Sequence, residues 1–216
     1  GWSNITRAVL AAGLLILLVT SRRSAFQWTG CAVTGALACA SFAWMGHGAA
    51  TPGPAGMVHL LADATHSIAA AVWIGALVVF VALLLRKQGT PYEDETLHVA
   101  LLRFSGVGSA VVAVLVLTGL VNSWFLVGPA GVWILWTTLY GQVLLAKLAL
   151  FMGMLGLAAS NRYRLVPALG RALNAGMPRA GALSALRRSL VLEGATSLFV
   201  LGLVAWLGTL APLTIQ

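Results

Sequence analysis

The stretch MVHLLADATHSIAAAVWIGALVVFVALLL, residues 57–85, decides the fold class. A helix needs about 20 apolar residues to cross the ~30 Å hydrocarbon core of a bilayer, and this run is longer. Its first half nevertheless carries two imidazoles and a carboxylate, at His59, His66 and Asp63. The stretch therefore predicts a transmembrane helix with a polar face near one end.

The composition of the whole chain agrees with a membrane protein. Of its 216 residues, 60% are hydrophobic and only 8% are charged, whereas a soluble domain carries about 25% charged residues. Long continuous apolar segments indicate helices, because barrel strands alternate in polarity. We expect an all-α polytopic membrane helix bundle of about six transmembrane helices, forming a single domain over 1–216. The apolar segments are 5–20, 26–46, 57–85, 104–126, 140–160 and 189–210.

The basic residues predict the orientation. Most of the 13 lysines and arginines lie in three loops that alternate onto one side of the bundle. Loops 47–56 and 127–139 carry none, so the basic side is expected to be cytoplasmic and both termini outward. This placement beside the membrane favours lipid as the partner of the basic side chains and argues against nucleic acid. The loop residues are Arg22, Arg23, Arg86, Lys87, Arg103, Arg162, Arg164, Arg171, Arg179, Arg187 and Arg188.

His59, Asp63 and His66 share one helical face, because steps of four and three residues keep them within one stripe. The predicted topology places this face in the outer half of the membrane, with His47 and Met45 just across a short loop. The Cα atoms of the two α-helical histidines lie about 10.5 Å apart along the axis. We therefore do not expect both imidazoles to bind one ion.

Two arrangements of a metal site remain open. In one, His59 joins His47 or Met45 at an outer port while Asp63 orients the His66 imidazole. In the other, two ion positions stack along one face and form a short inward path. Imidazole with thioether ligands suits copper, and methionine favours Cu(I) over Cu(II), with zinc as the alternative ion.

Four further polar residues lie within the predicted spans, where an ionisable group costs about 3 kcal/mol. Asn122 is expected to form an interhelical hydrogen bond. Lys147 is expected either to pair with Asp63 or to extend its ammonium outward. Asn161 and Glu193 lie towards the inner side and would form an exit if the ion path continued inward.

Two expectations concern acidic residues away from the histidine face. Glu193 is expected to pair with Arg103 or Arg188. The EDE run at 93–95 is expected to be the solvated face of a loop, and His98 is placed in the same cytoplasmic loop.

Several motifs resemble the membrane copper-resistance proteins called CopD or PcoD. They are GHGAA (46–50), HLLADATHSIAAAVWIGAL (59–77), RFS (103–105), TGLVNSW (118–124), LYGQVLLAKLALF (139–151), ASNRYRLVPAL (159–169), LRRSLVLEG (186–194) and LGTLAP (207–212). The resemblance covers essentially the whole chain in motif order. Full-length members have about eight spans, and this chain is similar to the last six.

The resemblance implies copper homeostasis at the bacterial inner membrane, with uptake of Cu(I) or Cu(II) from the periplasm and a periplasmic copper chaperone as a partner. His47, His59 and His66 match the family's histidine motifs, with Asp63 between the last two, whereas Met45 is not a family position. The alternatives are a b-haem electron-transfer protein, held by axial histidines, and a structural or assembly subunit. No nucleophile–base constellation is visible, so catalysis is not expected.

Overall fold

The computed structural model describes residues 2–20, 24–44, 53–85 and 91–211. All regular elements in these ranges are helical, which confirms the all-α prediction. The helices are α1 (Trp2–Thr20), α2 (Ala25–Ala40), α3 (Pro54–Leu85), α4 (Pro91–Leu126), α5 (Gly128–Gly131), α6 (Leu139–Ser160), α7 (Val166–Asn174) and α8 (Ala180–Leu207). A 3-10 turn (Val132–Ile134) follows α5, and a π-helical turn (Asn161–Leu165) joins α6 to α7.

Four of the described helical segments are long and apolar enough to cross a membrane. They are Pro54–Leu85, Tyr92–Leu126, Leu139–Asn174 and Ala180–Leu207, with a shorter apolar stretch at Ile5–Val19. Many of their large apolar side chains are exposed, as expected for helices that face lipid rather than water. The chain is therefore a polytopic membrane helix bundle, and the number of six spans stays a prediction.

Local sequence explains several helix ends. The Ser24 hydroxyl caps α2 by accepting from the Gln27 N–H, and Thr138 caps α6 by accepting from Gly141. After α7 the chain turns at Gly176, which has a φ of 62°. There the N–H of Met177 donates to the Ala172 carbonyl, a Schellman arrangement that needs a residue tolerant of positive φ.

The predicted cytoplasmic loop before α4 is shorter than expected. Helix α4 begins at Pro91, so residues 93–95 form its first turn and His98 is helical. The loop assignment of this run was therefore wrong. Asp94 is also only 2% exposed and forms an ion pair with Arg179, whereas Glu93 and Glu95 are exposed as predicted. Carboxylates are favoured in a first helical turn because they face the positive end of the helix dipole.

The segment 161–188 between the last two predicted spans is mostly helical. The π-helical turn, α7 and the start of α8 occupy most of it. The apolar side chains of α7 are buried at Val166, Leu169 and Ala172, because a helix with one apolar face packs that face inward.

The contacts divide the chain into two compact units. The first comprises Gly1–Ala71 and Ala113–Gly128, and the second Val72–Val112 and Pro129–Gln216. In the first unit α1 packs on α2, and the guanidinium of Arg7 lies 4.6 Å from the centre of the Phe42 ring. That the whole chain acts as one domain stays a prediction.

The second unit has an apolar core in which α6 packs on α8. Parts of α3, α4 and α7 complete it. Its buried members are Trp73, Leu77, Phe80, Leu84, Leu97, Leu101, Met154, Val166, Leu169, Leu186 and Leu190.

Candidate metal centre

In the first unit, the polar face of α3 lies against the last turns of α4. His66 contacts Thr118, Asp63 contacts Asn122, and His59 stacks on Phe125. The three partners on α4 are spaced by four and three residues, as are the three on α3. Because the residue numbers rise on one helix as they fall on the other, the two segments run antiparallel and meet in matched register.

The His66 ring is oriented by Thr118. Its Nδ1 lies 2.9 Å from the Thr118 hydroxyl oxygen, which in turn donates to the Val114 carbonyl at 2.6 Å. A hydroxyl has one proton to donate, and we assign it to the Val114 carbonyl because that contact is the shorter of the two. Nδ1–H is therefore the donor to Thr118, and a neutral imidazole then carries its lone pair on Nε2, the nitrogen that would ligate a metal.

That Asp63 orients His66 stays a prediction. The Asp63 side chain is half-buried, and its Oδ1 accepts a hydrogen bond of 3.5 Å from Asn122 Nδ2. Asn122 thus links α3 to α4. The carboxylate lies on the histidine face between the two imidazoles, where its negative charge reduces the cost of a cation in an apolar span.

His59 is only 2% exposed and stacks on Phe125, with ring centroids 4.6 Å apart and an interplanar angle of 9°. The Phe125 ring holds the imidazole in plane by a broad apolar contact. This stack explains how a polar ring is accommodated inside the helix pair, and it fixes the direction in which the two ring nitrogens point.

The described ranges contain no group of three or more His, Cys, Asp or Glu side chains close enough to hold one metal ion. A seven-residue step along α3 keeps the two histidines about 10.5 Å apart along the axis. Both predicted arrangements, the outer port and the two stacked ion positions, stay predictions. Met45 and His47, the further ligands predicted for an outer port, lie outside the described residues.

The haem alternative finds no second imidazole on the α4 segment of the first unit, and His47 lies outside the described residues. A bis-histidine haem needs imidazoles from two facing helices at matched depth. His59 faces Phe125 and His66 faces Thr118, and the α4 segment of this unit, residues 113–126, contains no histidine.

The remaining predicted polar residues lie in the second unit. Lys147 is half-buried in α6, and its pairing with Asp63 stays a prediction. Glu193 is 2% exposed and accepts a hydrogen bond of 2.9 Å from Asn161 Nδ2. The predicted pairing of Glu193 with Arg103 or Arg188 was wrong, because a carboxylate placed deep in the bundle is met there by a neutral amide instead.

Sequence reasoning missed Thr118 and Phe125. Both lie with Asn122 on one face of α4, in the same four-and-three spacing that drew attention to α3. Only Asn122, four residues after Thr118 and three before Phe125, marks this face in the sequence.

Comparisons with known proteins identify the family of this chain. The profile of the family described as copper resistance protein D matches residues 98–207, and that of the copper resistance protein D-like N-terminal domain matches residues 1–57. This chain belongs to the copper resistance protein D family. The resemblance read from the sequence motifs is thereby confirmed.

Three relatives illustrate the range of the family. The chain is 44% identical over 180 residues to copper resistance protein D of Pseudomonas syringae pv. tomato, covering 82% of this chain and 57% of the relative. It is 33% identical over 126 residues to the inner membrane protein YebZ of Escherichia coli strain K12, covering 58% of this chain and 41% of the relative.

The third relative is the copper transport protein CutJ of Bacillus subtilis strain 168. The identity is 36% over 103 residues, which is 47% of this chain and 18% of the relative. The chain thus matches between about a fifth and three fifths of the length of these relatives. No solved structure matches it. The family and the fold together define a copper-related, multi-pass membrane protein.

Proposed function

We propose that this protein binds copper ions on the histidine face of α3 and passes them into or across the bacterial inner membrane. The observation that carries the proposal is the Thr118 hydroxyl on His66 Nδ1, which leaves Nε2 as the ligand nitrogen. The family membership and the name of the relative described as a copper transport protein support copper as the ion.

The separation of His59 and His66 favours stepwise movement rather than one chelating site. A copper ion held by one imidazole is released more readily than one held by several, and conduction requires binding that is weak enough to reverse. Neutral imidazole ligands suit Cu(I) and Cu(II), and Asp63 between them offsets the positive charge of the ion. Copper is in this account a cargo that the protein carries.

The direction of entry follows from the predicted topology. The basic loops are placed in the cytoplasm and both termini outside, which puts His59 nearest the periplasm. Met45 and His47 would complete an outer port that accepts copper from a periplasmic chaperone. The inner-membrane location of the relative YebZ supports the choice of membrane.

Copper uptake by cells expressing variants tests the proposal. His59→Ala and His66→Ala are each expected to lower copper accumulation, whereas His98→Ala, on α4 in the second unit, serves as the matched histidine control. The proposal would be contradicted if both His59→Ala and His66→Ala accumulated as much copper as the wild type at equal protein levels in the membrane.

A further inference from the structure

A second polar centre lies in the second unit, away from the histidine face. Glu193, in the middle of α8, accepts a hydrogen bond from Asn161, the first residue of the π-helical turn between α6 and α7. Both side chains are buried. One hydrogen bond thus joins α8 to the point where the long α6–α7 segment changes its helical geometry, and π-helical turns are frequent at functional sites.

This pair lines a cavity of about 340 Å³. Most of the lining is apolar or aromatic, including Trp73, Phe104 and Leu190. The cavity is large enough for several water molecules, since one water needs only about 30 Å³. Water that enters this cavity beside Glu193 and Asn161 can exchange a proton with the carboxyl group.

The Glu193 carboxylate has no cationic partner in the part of the chain that the structure describes, where it accepts a hydrogen bond from the neutral amide of Asn161. Arg162 lines the same cavity, but its guanidinium donates to the Ser105 carbonyl and the Ser109 hydroxyl. Tyr163 is the other titratable group of the lining, and it is exposed. The remaining arginines of the neighbouring elements are exposed and form no ion pair with Glu193. They are Arg103, Arg164, Arg171, Arg187 and Arg188.

An ionised carboxylate without a counter-ion is costly in an apolar site, and a bound proton removes that cost. A metal ion is a poorer occupant, because one carboxyl group and one amide oxygen supply few of the six or more oxygen ligands that a hard cation takes. The chemistry of the pair therefore favours the proton.

Asn161 can serve both protonation states. In the structure its Nδ2 donates to Glu193, which suits a carboxylate, while its Oδ1 is buried without a hydrogen-bond partner. A half turn of the amide about its terminal torsion exchanges the two atoms, so that Oδ1 accepts from a protonated carboxyl group. The amide thus offers a donor to the ionised carboxylate and an acceptor to the protonated carboxyl group from the same position.

We propose that Glu193 and Asn161 form a reversible proton-binding site at the junction of α6, α7 and α8. Binding of the proton reverses the direction of the Asn161–Glu193 hydrogen bond and so changes the contact that holds the π-helical turn against α8. The site does not depend on copper binding at the α3 histidines, and its test uses no copper.

Infrared difference spectroscopy between acidic and alkaline buffer tests this site in the purified protein in lipid nanodiscs. The wild type is expected to show a carboxylic-acid C=O band at the high frequency typical of a buried acid, which disappears as the buffer is made alkaline. Glu193→Gln should lack this band. The exposed-residue control Glu95→Gln should keep it.

Asn161→Leu provides a second test in case Glu193→Gln does not fold. It keeps the carboxyl group but removes the hydrogen bond from Asn161, so the band should persist and move to higher frequency. A band that is the same in Glu193→Gln and wild type would overturn the proposal. So would a Glu193 band that does not change with pH, or no such band at any pH.

Discussion

Thr118 holds His66 through a hydrogen bond of 2.9 Å from Nδ1 to its hydroxyl oxygen, which itself donates to Val114. Because the hydroxyl proton is donated to the backbone carbonyl, the hydroxyl oxygen accepts from the imidazole. The imidazole proton is therefore on Nδ1. One helix thus determines which nitrogen of the other helix presents a lone pair. The copper chemistry proposed for α3 depends on this relationship.

Replacing Thr118 with valine tests the relationship directly. Valine has nearly the same shape but no hydroxyl, so His66 loses its orienting partner, and the affinity for Cu(I) should fall by about 10–100-fold. Thr118→Ser, which keeps the hydroxyl, should retain affinity near that of the wild type. Competition with a Cu(I) chelator measures both variants, and an unchanged affinity in Thr118→Val would count against the tautomer argument.

The stack of His59 on Phe125 predicts that one substitution of His59 can remove copper binding without lowering stability. His59→Phe keeps an aromatic ring against Phe125 but removes the nitrogens, so copper binding should fall while the melting temperature changes little. His59→Ala should lose copper and also about 1–3 kcal/mol of stability, because it leaves a void beside Phe125. Equal destabilisation by both substitutions, measured by circular dichroism on heating, would contradict the stacking role.

The ion pair of Asp94 with Arg179 predicts a structural effect in the second unit. Arg179→Ala leaves the buried carboxylate without its cation and should lower the free energy of unfolding by about 3 kcal/mol. Arg171→Ala, at an exposed position, is the control and should change stability by less than about 0.5 kcal/mol. Thermal unfolding of the three proteins in the same detergent measures both values, and equal melting temperatures would show that Asp94 does not need Arg179.

The turn before α6 requires a residue without a Cβ atom at position 141, which is Gly141. A Cβ atom there would lie against the backbone of Leu135, so Gly141→Ala forces the chain to move and should cost about 1–3 kcal/mol. Gly153→Ala, on the same helix with open space around it, should be neutral or slightly stabilising because alanine favours the helix. The comparison is made by thermal unfolding, and a stable Gly141→Ala protein would mean that this turn tolerates a wider geometry.

The sequence was sufficient for α3 and its polar face, because a long apolar run and a four-and-three spacing depend only on helical periodicity. It did not identify Thr118 or Phe125 as partners, since pairing requires knowing which two helices meet and in which register. A threonine and a phenylalanine are common in apolar spans, so their presence alone does not indicate a contact with a histidine.

The start of α4 and the partner of Glu193 were missed for a different reason. Charged residues at 93–95 were assigned to a loop because exposure was judged from polarity, whereas burial of Asp94 depends on Arg179, which is distant in the sequence. For Glu193, charge complementarity pointed to an arginine. Because α6 packs on α8, the fold brings Asn161 to the carboxyl group instead.

The copper content of the purified protein is the most direct test of the central claim. Metal analysis and Cu(I) chelator competition would be carried out on the wild type and on the His59→Phe/His66→Ala double variant, both checked for equal helicity. The account predicts copper bound to the wild type and lost from the double variant. Copper retained by the double variant, or absent from both proteins, would contradict it.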